Sequence, residues 1–164
     1  WQANERFVGL VVDGANRAGT NGTIVMEVGD FNLGMQRYVA SRTTITVEEG
    51  VIVEIEGGLD ASLLRAWFEK WEDPRAYHIS LIGWGCDPRA DWARMAQKGP
   101  GGVGDAESFA GVFQIAFGRD TSWYLEGGTN DVPAHIDFNC LHHSISLDDK
   151  PITQDGKFVA DEMQ

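Results

Sequence analysis

The sequence predicts an α+β fold, with a mixed, mostly antiparallel sheet and two or three helices. Short segments rich in β-branched and aromatic residues alternate with turns that contain Gly, Asn and Asp. A clear helical stripe of apolar side chains occurs in Ala61–Trp71. The 164 residues, of which 43% are apolar, are enough for a hydrophobic core. We therefore expect residues 1–164 to form a single domain.

The first part of the chain is predicted to consist of strands joined by tight turns. The Glu-Glu-Gly sequence at 48–50 is typical of a hairpin turn, because Gly50 accepts a positive φ. In the strand that follows, Val53 and Ile55 are expected to share one face. The strands of this part are predicted over Phe7–Asp13, Thr23–Val28, Gln36–Val47 and Val51–Glu56.

The middle of the chain is predicted to contain the helices. Asp60 is expected to cap the helix Ala61–Trp71, whose apolar stripe should face the core, and Pro74 should end this unit. Asp87, followed by Pro88, is expected to start a second helix. The remaining segments are predicted as a strand over Ala76–Ile82, a turn over Gly83–Cys86, a helix over Arg89–Gln97 and a flexible loop over Lys98–Gly104.

The last part of the chain again indicates strands. Gln114 is the one polar side chain in an otherwise apolar segment, and polar turns fall at 148–149 and 155–156. The strands are predicted over Gly111–Phe117, Pro133–Phe138, Ser144–Leu147, Pro151–Thr153 and Lys157–Val159.

Charge and composition exclude several classes of partner. A net charge of −12 without local basic clusters argues against nucleic acid and against an acidic membrane surface. No run approaches the roughly 20 apolar residues of a membrane span, and no signal pattern is visible. Cys86 and Cys140 are therefore expected to be reduced, in a cytoplasmic protein. Because the chain begins at Trp1 without Met, we expect a fragment, one part of a longer polypeptide, or a processed chain.

The strand over Pro133–Phe138 carries the strongest candidate for chemistry. Alternation places His135, Asp137 and Asn139 on one face, with the His and Asp backbones about 7 Å apart. An imidazole beside a carboxylate is a common metal-ligand pair, or a base with its orienting partner. The Gly-Gly-Thr-Asn-Asp-Val-Pro loop at 127–133 allows close approach to a ligand. The alternative is a surface strand with a solvated His and Asp.

Three further histidines are weaker candidates. His142 and His143 adjoin, so on a strand they face opposite ways, and His143 shares its parity with His135 and Asp137. The alternative is a solvated or capping histidine. His78 lies in an apolar strand, where a hydrogen-bonded core histidine is the alternative to a ligand.

Other catalytic and nucleotide-binding motifs are absent. No nucleophile elbow or Walker loop occurs, and the Gly-Trp-Gly turn at 83–85 lacks the third glycine of a dinucleotide fingerprint. No Cys-x-x-Cys is present, which excludes a zinc knuckle.

Four blocks follow one another along the chain, at 46–58 (TVEEGVIVEIEGG), 82–90 (IGWGCDPRA), 113–118 (FQIAFG) and 134–138 (AHIDF). In this order they resemble the C-terminal region of the thermophilic-type leucyl aminopeptidase family, and most closely its relative, 2,5-dihydroxypyridine 5,6-dioxygenase. The resemblance covers roughly Asn21 to Gly156. The Gly-Trp-Gly and His-x-Asp motifs favour the dioxygenase over the aminopeptidases.

The resemblance implies a mononuclear Fe(II) site, or a two-metal site in the peptidases. His135 and Asp137 match the His-x-Asp metal ligands of the family, and Glu5 lies roughly where the peptidases carry a metal-binding Glu. Two positions depart from the pattern. Leu81 stands where the family usually has a ligand carboxylate, and Gln114 stands where the peptidases have a metal-binding His.

Three functions follow from this resemblance. The first is an Fe(II)-dependent ring-cleaving dioxygenase for a hydroxylated N-heteroaromatic or related aromatic compound. In it, His78 or His143 would supply the missing ligand, and Trp84 and Tyr124 would line the substrate site; a catalytic role is assigned to His143. The second is a metal-dependent aminopeptidase or deaminase with zinc or another divalent metal, against which Gln114 counts. The third is a degenerate, non-catalytic binding module, for which Leu81 argues.

The resemblance also bears on assembly. Members of the family are about twice as long as this chain and carry a preceding domain that shapes the active cleft. We therefore expect a small-molecule substrate, a homo-oligomer, and an N-terminal domain or second chain beyond the residues present here.

Overall fold

The computed structural model describes residues 2–3, 10–14, 18–94, 96, 103–121 and 127–160. The helices are α1 (Leu59–Glu69), a 3-10 helix (Pro74–Tyr77) and α2 (Val103–Ser108). In chain order the strands are β1 (Gln2–Ala3), β2 (Leu10–Gly14), β3 (Gly22–Met26), β4 (Phe31–Asn32), β5 (Arg37–Tyr38), β6 (Thr43–Glu48), β7 (Val51–Gly57), β8 (Ile79–Gly85), β9 (Phe113–Gly118), β10 (His135–Cys140), β11 (Ile145–Leu147), β12 (Lys150–Gln154) and β13 (Lys157–Phe158).

The strands form one large sheet and two small ones. The large sheet has the order β1-β2-β8-β9-β10-β4-β5, and the small sheets are β3-β6-β7 and β11-β12-β13. Every pair of neighbouring strands is antiparallel. The predicted α+β class, with a mostly antiparallel sheet and few helices, is therefore confirmed.

One hydrophobic core joins a face of the large sheet to β3-β6-β7 and α1. Leu64 and Phe68 of α1 are fully buried in it, together with Phe117 of β9 and Phe138 of β10. The apolar stripe of α1 thus faces the core, as its spacing predicts, although Leu63 remains partly exposed. The opposite face of the large sheet is covered separately, and it carries the candidate site.

The predicted strand Gln36–Val47 is interrupted between β5 and β6. The carboxylate of Asp60 accepts hydrogen bonds from the backbone nitrogens of Ala40 and Ser41 at 3.0 and 2.7 Å and from the Ser41 hydroxyl at 2.8 Å. Asp60 also forms a 3.2 Å ion pair with Arg37. These bonds hold the chain in a bend, so residues 39–42 join neither strand.

The same contacts explain why the predicted capping role of Asp60 is wrong. The helix begins two residues earlier than predicted, with Gly58 at the cap position and no capping side chain. Asp60 lies in the first turn and is committed to Ser41, which donates to it and accepts from its backbone nitrogen at 3.0 Å. A side chain held in this way is not available to cap its own helix.

Val53 does not share a face with Ile55 as its alternation predicts. Val47 of β6 pairs with Ile52 and Thr46 pairs with Glu54, so Val53 is the extra residue of a β-bulge. Its side chain is 53% exposed, whereas Ile52 and Ile55 are buried. The turn before this strand is as predicted, with positive φ at both Glu49 and Gly50.

Strand β8 starts and ends later than predicted. Tyr77 belongs to the 3-10 helix that begins at Pro74, with Asp73 capping it through a 2.9 Å bond to the Arg75 nitrogen. At the other end, the predicted turn at 83–85 is extended strand. Gly85 permits this, because a Cβ there would lie 2.2 Å from the Phe109 carbonyl oxygen.

The segment after β8 covers the site face of the large sheet. The predicted helix Arg89–Gln97 is only partly described. Its described start has a turn at 88–89, where the Asp87 carboxylate binds Arg89, and a second turn at 92–93, where the Asp91 carboxylate accepts from the Ala93 nitrogen; residues 94 and 96 are helical. Helix α2 falls at the end of the predicted loop Lys98–Gly104, the rest of which lies outside the described residues. It packs on β8.

The three C-terminal strands and the two turns between them are present as predicted, and these strands form a separate three-stranded sheet. Asp148 and Asp149 adopt positive φ in its first turn, and Asp155 and Gly156 do so in its second. Among the described residues, no helix is long and apolar enough to cross a membrane.

Candidate functional site

His135 and Asp137 lie on one face of β10, as the alternation predicts. The His135 Nε2 atom is 3.4 Å from the Asp137 Oδ2 atom. Asp137 is only 6% exposed and His135 is partly buried, so the pair is not a solvated surface feature. An imidazole and a carboxylate thus share one largely buried position at the centre of the large sheet.

The His135 ring is held by a carbonyl oxygen that sequence reasoning missed. Its Nδ1 donates to the Arg119 carbonyl oxygen at 2.9 Å, since a carbonyl only accepts. The Ser80 hydroxyl donates to the same oxygen at 2.6 Å. The proton is therefore on Nδ1, and Nε2 faces Asp137. Such an outer hydrogen bond is typical of histidines that bind metal.

Protonation and metal binding compete at the His135 Nε2 atom. Burial alone lowers the pKa of His135, but the hydrogen bond and negative charge of Asp137 outweigh it, so the pKa is raised overall. In the absence of a metal, Asp137 therefore favours the protonated form of the His135 ring. A divalent cation would displace the proton from Nε2.

The other oxygen of Asp137 is held by Gln114 of β9. The Gln114 Nε2 donates to the Asp137 Oδ1 at 3.1 Å. The Gln114 side chain is 2% exposed, and its Oε1 has no hydrogen-bond partner within the described part of the protein. Asn139, in the same row as Gln114, is fully buried with both amide atoms unpaired there. This face therefore offers polar atoms that the described chain does not satisfy.

Glu107 of α2 is a second carboxylate at this site, and nothing in the sequence singled it out. Burial and the charge of Asp137 raise its pKa to about 8, against lowering effects of a hydrogen bond to Gln114 and the nearby His135. Its only sequence signal is that it follows a Gly-rich segment by a few residues. The site therefore contains the buried Asp137 carboxylate, the partly buried Glu107 carboxyl group and one imidazole.

Leu81 occupies the strand position that faces Asp137. Ile79 pairs with Phe117 and Ile82 pairs with Ile115, so Ser80 and Leu81 together oppose Ala116 in a β-bulge. Ala116 in turn pairs with Asp137. A metal-binding side chain at position 81 could reach toward Asp137 over the small Ala116 side chain. The residue present is Leu81, which is apolar and only 2% exposed.

His143 and Trp84 lie away from this pair. Trp84, Phe113 and Cys140 form one row of the sheet, on the face opposite Gln114. The Phe113 ring contacts both Trp84 and His143, with centroids 5.8 and 5.4 Å away. His143 does not lie on the strand face of His135 and Asp137 as predicted, because β10 ends at Cys140 and the chain bends there. The catalytic role of His143 and the substrate role of Trp84 remain predictions that this placement does not favour.

The remaining predicted site residues are less informative. His78 caps the 3-10 helix, and its carbonyl oxygen accepts from the Gly118 nitrogen at 2.7 Å. Because Gly118 also pairs with His135, the backbone of His78 lies two strands from that of the pair. Glu5 and Tyr124 lie outside the described residues.

The donor atoms of the site suit a divalent metal, but they do not yet form a complete set. His135 Nε2 and the Asp137 oxygens are adjacent, and the Gln114 Oε1 beside them is buried and unpaired. Within the described ranges, however, no three His, Cys, Asp or Glu side chains lie close enough together to hold a metal ion as they stand. The pair fits a metal, and a third ligand has to move in or come from elsewhere.

Comparisons with known proteins point to one family. Residues 5–160 match the family model of 2,5-dihydroxypyridine 5,6-dioxygenase, NicX. The chain is 36% identical over 156 residues to the 2,5-dihydroxypyridine 5,6-dioxygenase of Pseudomonas putida, covering 94% of this chain and 44% of that protein. The chain therefore spans less than half the length of this relative.

Solved structures agree with the match. The structure of the Pseudomonas putida 2,5-dihydroxypyridine dioxygenase aligns with a TM-score of 0.86 at 36% identity, over 93% of this chain and 44% of that one. AmpT from Thermus thermophilus aligns with a TM-score of 0.61 at 18% identity, over 93% of this chain and 40% of that one. The likeness to AmpT concerns the fold alone.

Proposed function

The chain belongs to the 2,5-dihydroxypyridine 5,6-dioxygenase family, and we propose that it forms the metal-binding part of an Fe(II)-dependent ring-cleaving dioxygenase. Its substrate would be a hydroxylated N-heteroaromatic compound. The observation that carries this proposal is the buried pair of His135 and Asp137, whose Nε2 and Oδ2 atoms are 3.4 Å apart. Their side chains would hold the iron.

The chemistry that Fe(II) supplies when bound is to bring dioxygen and a substrate hydroxyl together at its open positions. The chain itself prepares the ligands. The Arg119 carbonyl oxygen fixes the His135 ring with Nε2 toward Asp137, and Gln114 fixes the Asp137 carboxylate by its 3.1 Å bond. Neither ligand then has to be ordered when a metal arrives.

Helix α2 and the segment before it would keep the site dry. The Ala106 side chain is fully buried against Phe31 of β4, and Trp92 and Tyr38 pack around them. Because these side chains cover the same sheet face as Asp137, they limit the access of water to the ligand pair. The cleft on the open side would be completed by a second chain or by the region that relatives carry outside the match.

The wider setting is proposed on the same basis. We expect one domain over residues 1–164, a homo-oligomer and a cytoplasmic location. A net charge of −12 supports a small-molecule substrate over a nucleic acid partner.

A non-catalytic binding module is the second candidate. It is favoured by Leu81, which removes a ligand from the strand position opposite Asp137. A two-metal aminopeptidase is disfavoured, because Gln114 supplies an amide where the resemblance implies a metal-binding His.

The test is anaerobic titration of the metal-free protein with Fe(II), combined with elemental analysis and oxygen uptake on 2,5-dihydroxypyridine. We expect one iron per chain, lost in His135→Ala and Asp137→Asn and retained in His142→Ala, a matched exposed histidine. Oxygen uptake should depend on iron. No metal binding at all would contradict the dioxygenase and leave the binding module.

A further inference from the structure

We propose that Ser80 is a positioning residue for His135. Its hydroxyl fixes the Arg119 carbonyl oxygen, and this oxygen in turn holds the His135 ring with Nε2 toward Asp137. The inference deepens the proposed function and rests on it, because the orientation of the ring matters for the reaction only if Nε2 binds a metal. It gives a role to the side chain next to Leu81, the position at which a metal-binding side chain is missing.

One oxygen atom connects the two side chains. The Arg119 carbonyl oxygen accepts from the Ser80 hydroxyl at 2.6 Å and from the His135 Nδ1 at 2.9 Å. A carbonyl oxygen has two lone pairs, so these two donors occupy both of its acceptor positions. Ser80 is only 2% exposed, so water cannot take the place of its hydroxyl without entering the sheet. The direction of the carbonyl, and with it the orientation of the His135 ring, therefore depends on this hydroxyl.

A β-bulge directs the Ser80 side chain to this oxygen. Ser80 and Leu81 together oppose Ala116 in the pairing of β8 with β9. The extra residue increases the local twist of the strand, and such bulges redirect side chains beside active sites. The Ser80 hydroxyl thereby reaches Arg119, which directly follows the last residue of β9. The bulge that places the apolar Leu81 near Asp137 thus also brings a hydroxyl to the support of its partner.

The turn that contains Arg119 is anchored without Ser80. The Arg119 nitrogen donates to the Ala134 carbonyl oxygen at 2.8 Å. On the preceding peptide group, the Gly118 carbonyl oxygen accepts from the Asn130 amide at 2.7 Å. Removing the Ser80 hydroxyl should therefore leave this turn folded and change only how firmly the Arg119 carbonyl is directed.

The effect on a bound metal follows from the freedom of the His135 ring. With the carbonyl fixed, the ring is ordered before a metal arrives, whereas a loosely held ring has to be ordered at the expense of binding free energy. Partners that hydrogen-bond directly to a metal ligand typically contribute about tenfold to a hundredfold in affinity. Ser80 acts through the Arg119 carbonyl rather than on the ring itself, so we expect its loss to cost about tenfold, the lower end of this range.

A purely structural role for Ser80 predicts a different result. In that case its hydroxyl only joins β8 to the chain after β9, and its removal lowers stability without changing metal binding. Thr43 of β6 is the matched case, because it is also 2% exposed and its hydroxyl donates to the Ser41 carbonyl oxygen at 3.2 Å. Thr43 belongs to the β3-β6-β7 sheet, which does not carry the site. Thr43→Val removes this bond and keeps the shape of the side chain.

The experiment is anaerobic titration of the metal-free protein with Co(II), followed by visible absorption, in the parent, Ser80→Ala, Ser80→Thr and Thr43→Val. We expect about tenfold weaker binding and a changed spectrum in Ser80→Ala, and recovery of both in Ser80→Thr, which retains the hydroxyl. Thr43→Val should bind like the parent. Thermal unfolding checks that every variant folds.

A second measurement needs no metal. In metal-free protein with isotope-labelled histidine, the hydrogen-bonded Nδ1–H of His135 should give a sharp NMR signal, which is assigned by its loss in His135→Ala. In Ser80→Ala this signal should shift and exchange faster with water, because the accepting carbonyl is less firmly held. Thr43→Val should leave it unchanged. This comparison does not use Ser80→Thr, so it decides the matter even if the extra methyl group of that variant prevents folding.

The outcomes separate this inference from the proposed function. Weaker binding and a changed His135 signal in Ser80→Ala, but not in Thr43→Val, support the inference. If Ser80→Ala binds Co(II) as tightly as the parent, or if its His135 signal is unchanged, Ser80 does not position the ring and the metal site stands without it. If the parent binds no metal, the proposed function is overturned, and the His135 signal alone decides whether Ser80 positions the ring.

Discussion

Replacing Glu107 by Gln should make the metal-free protein less sensitive to rising pH. The carboxyl has a pKa of about 8 in the folded protein, mainly because of burial, against an ordinary value of 4.5. Between these values the folded state holds a proton that the unfolded state has lost. The free energy of unfolding therefore falls as the pH rises, by about 1.4 kcal/mol per pH unit for this group. The contribution of the Glu107 carboxyl to the free energy of unfolding is fully present below pH 4.5 and is lost as the pH rises through 8.

The effect can be measured by urea unfolding of the chelator-treated parent and of Glu107→Gln at pH 5 and pH 7. Relative to the parent, the variant should gain on the order of 2 kcal/mol between these two pH values. The difference between the proteins isolates Glu107 from other titrating groups, and Glu54→Gln serves as the exposed control. Parallel pH profiles for the parent and Glu107→Gln would contradict a raised pKa for Glu107, since they would mean that its carboxyl is solvated.

Three further substitutions test other parts of the structure. Leu81→His should raise metal affinity at least about tenfold by calorimetry, because it offers an imidazole across Ala116 from Asp137; unchanged affinity would mean that this position does not face the pair. Asp60→Asn should lower the free energy of unfolding by about 2–4 kcal/mol in urea, because the side chain is 4% exposed and its carboxylate accepts three hydrogen bonds; a change below about 0.5 kcal/mol would contradict that role. Gly118→Ala should lower the melting temperature, because its φ is 99° and a Cβ would lie 2.2 Å from the Ala134 carbonyl oxygen; an unchanged melting temperature would show that the strands can separate there.

The sequence was most informative where alternation and turn chemistry agree. The predicted hairpin turn at 48–50 and the predicted polar turns at 148–149 and 155–156 contain residues with positive φ, and each joins two antiparallel strands. The His135 and Asp137 pair follows from the same period of two along β10. These features depend on neighbours in sequence, so local reasoning reaches them.

Errors arose where a distant partner decides the local structure. Val53 and the pair at 80–81 are bulges, and an extra residue in one strand is visible only against its neighbour. Asp60 satisfies the local rule for a helix cap, but Ser41 and Arg37 hold it inside the fold instead. The prediction that His143 shares a strand face with His135 fails because the chain bends after β10.

The candidate site was only half predictable for the same reason. The ligand pair lies on one strand, whereas Glu107 is brought to it by α2, and the Arg119 carbonyl oxygen is a backbone group that no side-chain pattern reveals. Neither contact has a characteristic spacing to His135. Identifying them requires the packing of the segment after β8 over the large sheet.

His135 and Asp137 are expected to bind a metal ion directly. The most direct measurement is a crystal of the protein soaked anaerobically with Fe(II), with anomalous differences collected at the iron edge. We expect one strong peak about 2.0–2.2 Å from both His135 Nε2 and an Asp137 oxygen, a typical distance for such ligands. An iron-free map, in which the Nε2 atom of His135 still faces the Asp137 carboxylate at hydrogen-bonding distance, would contradict it.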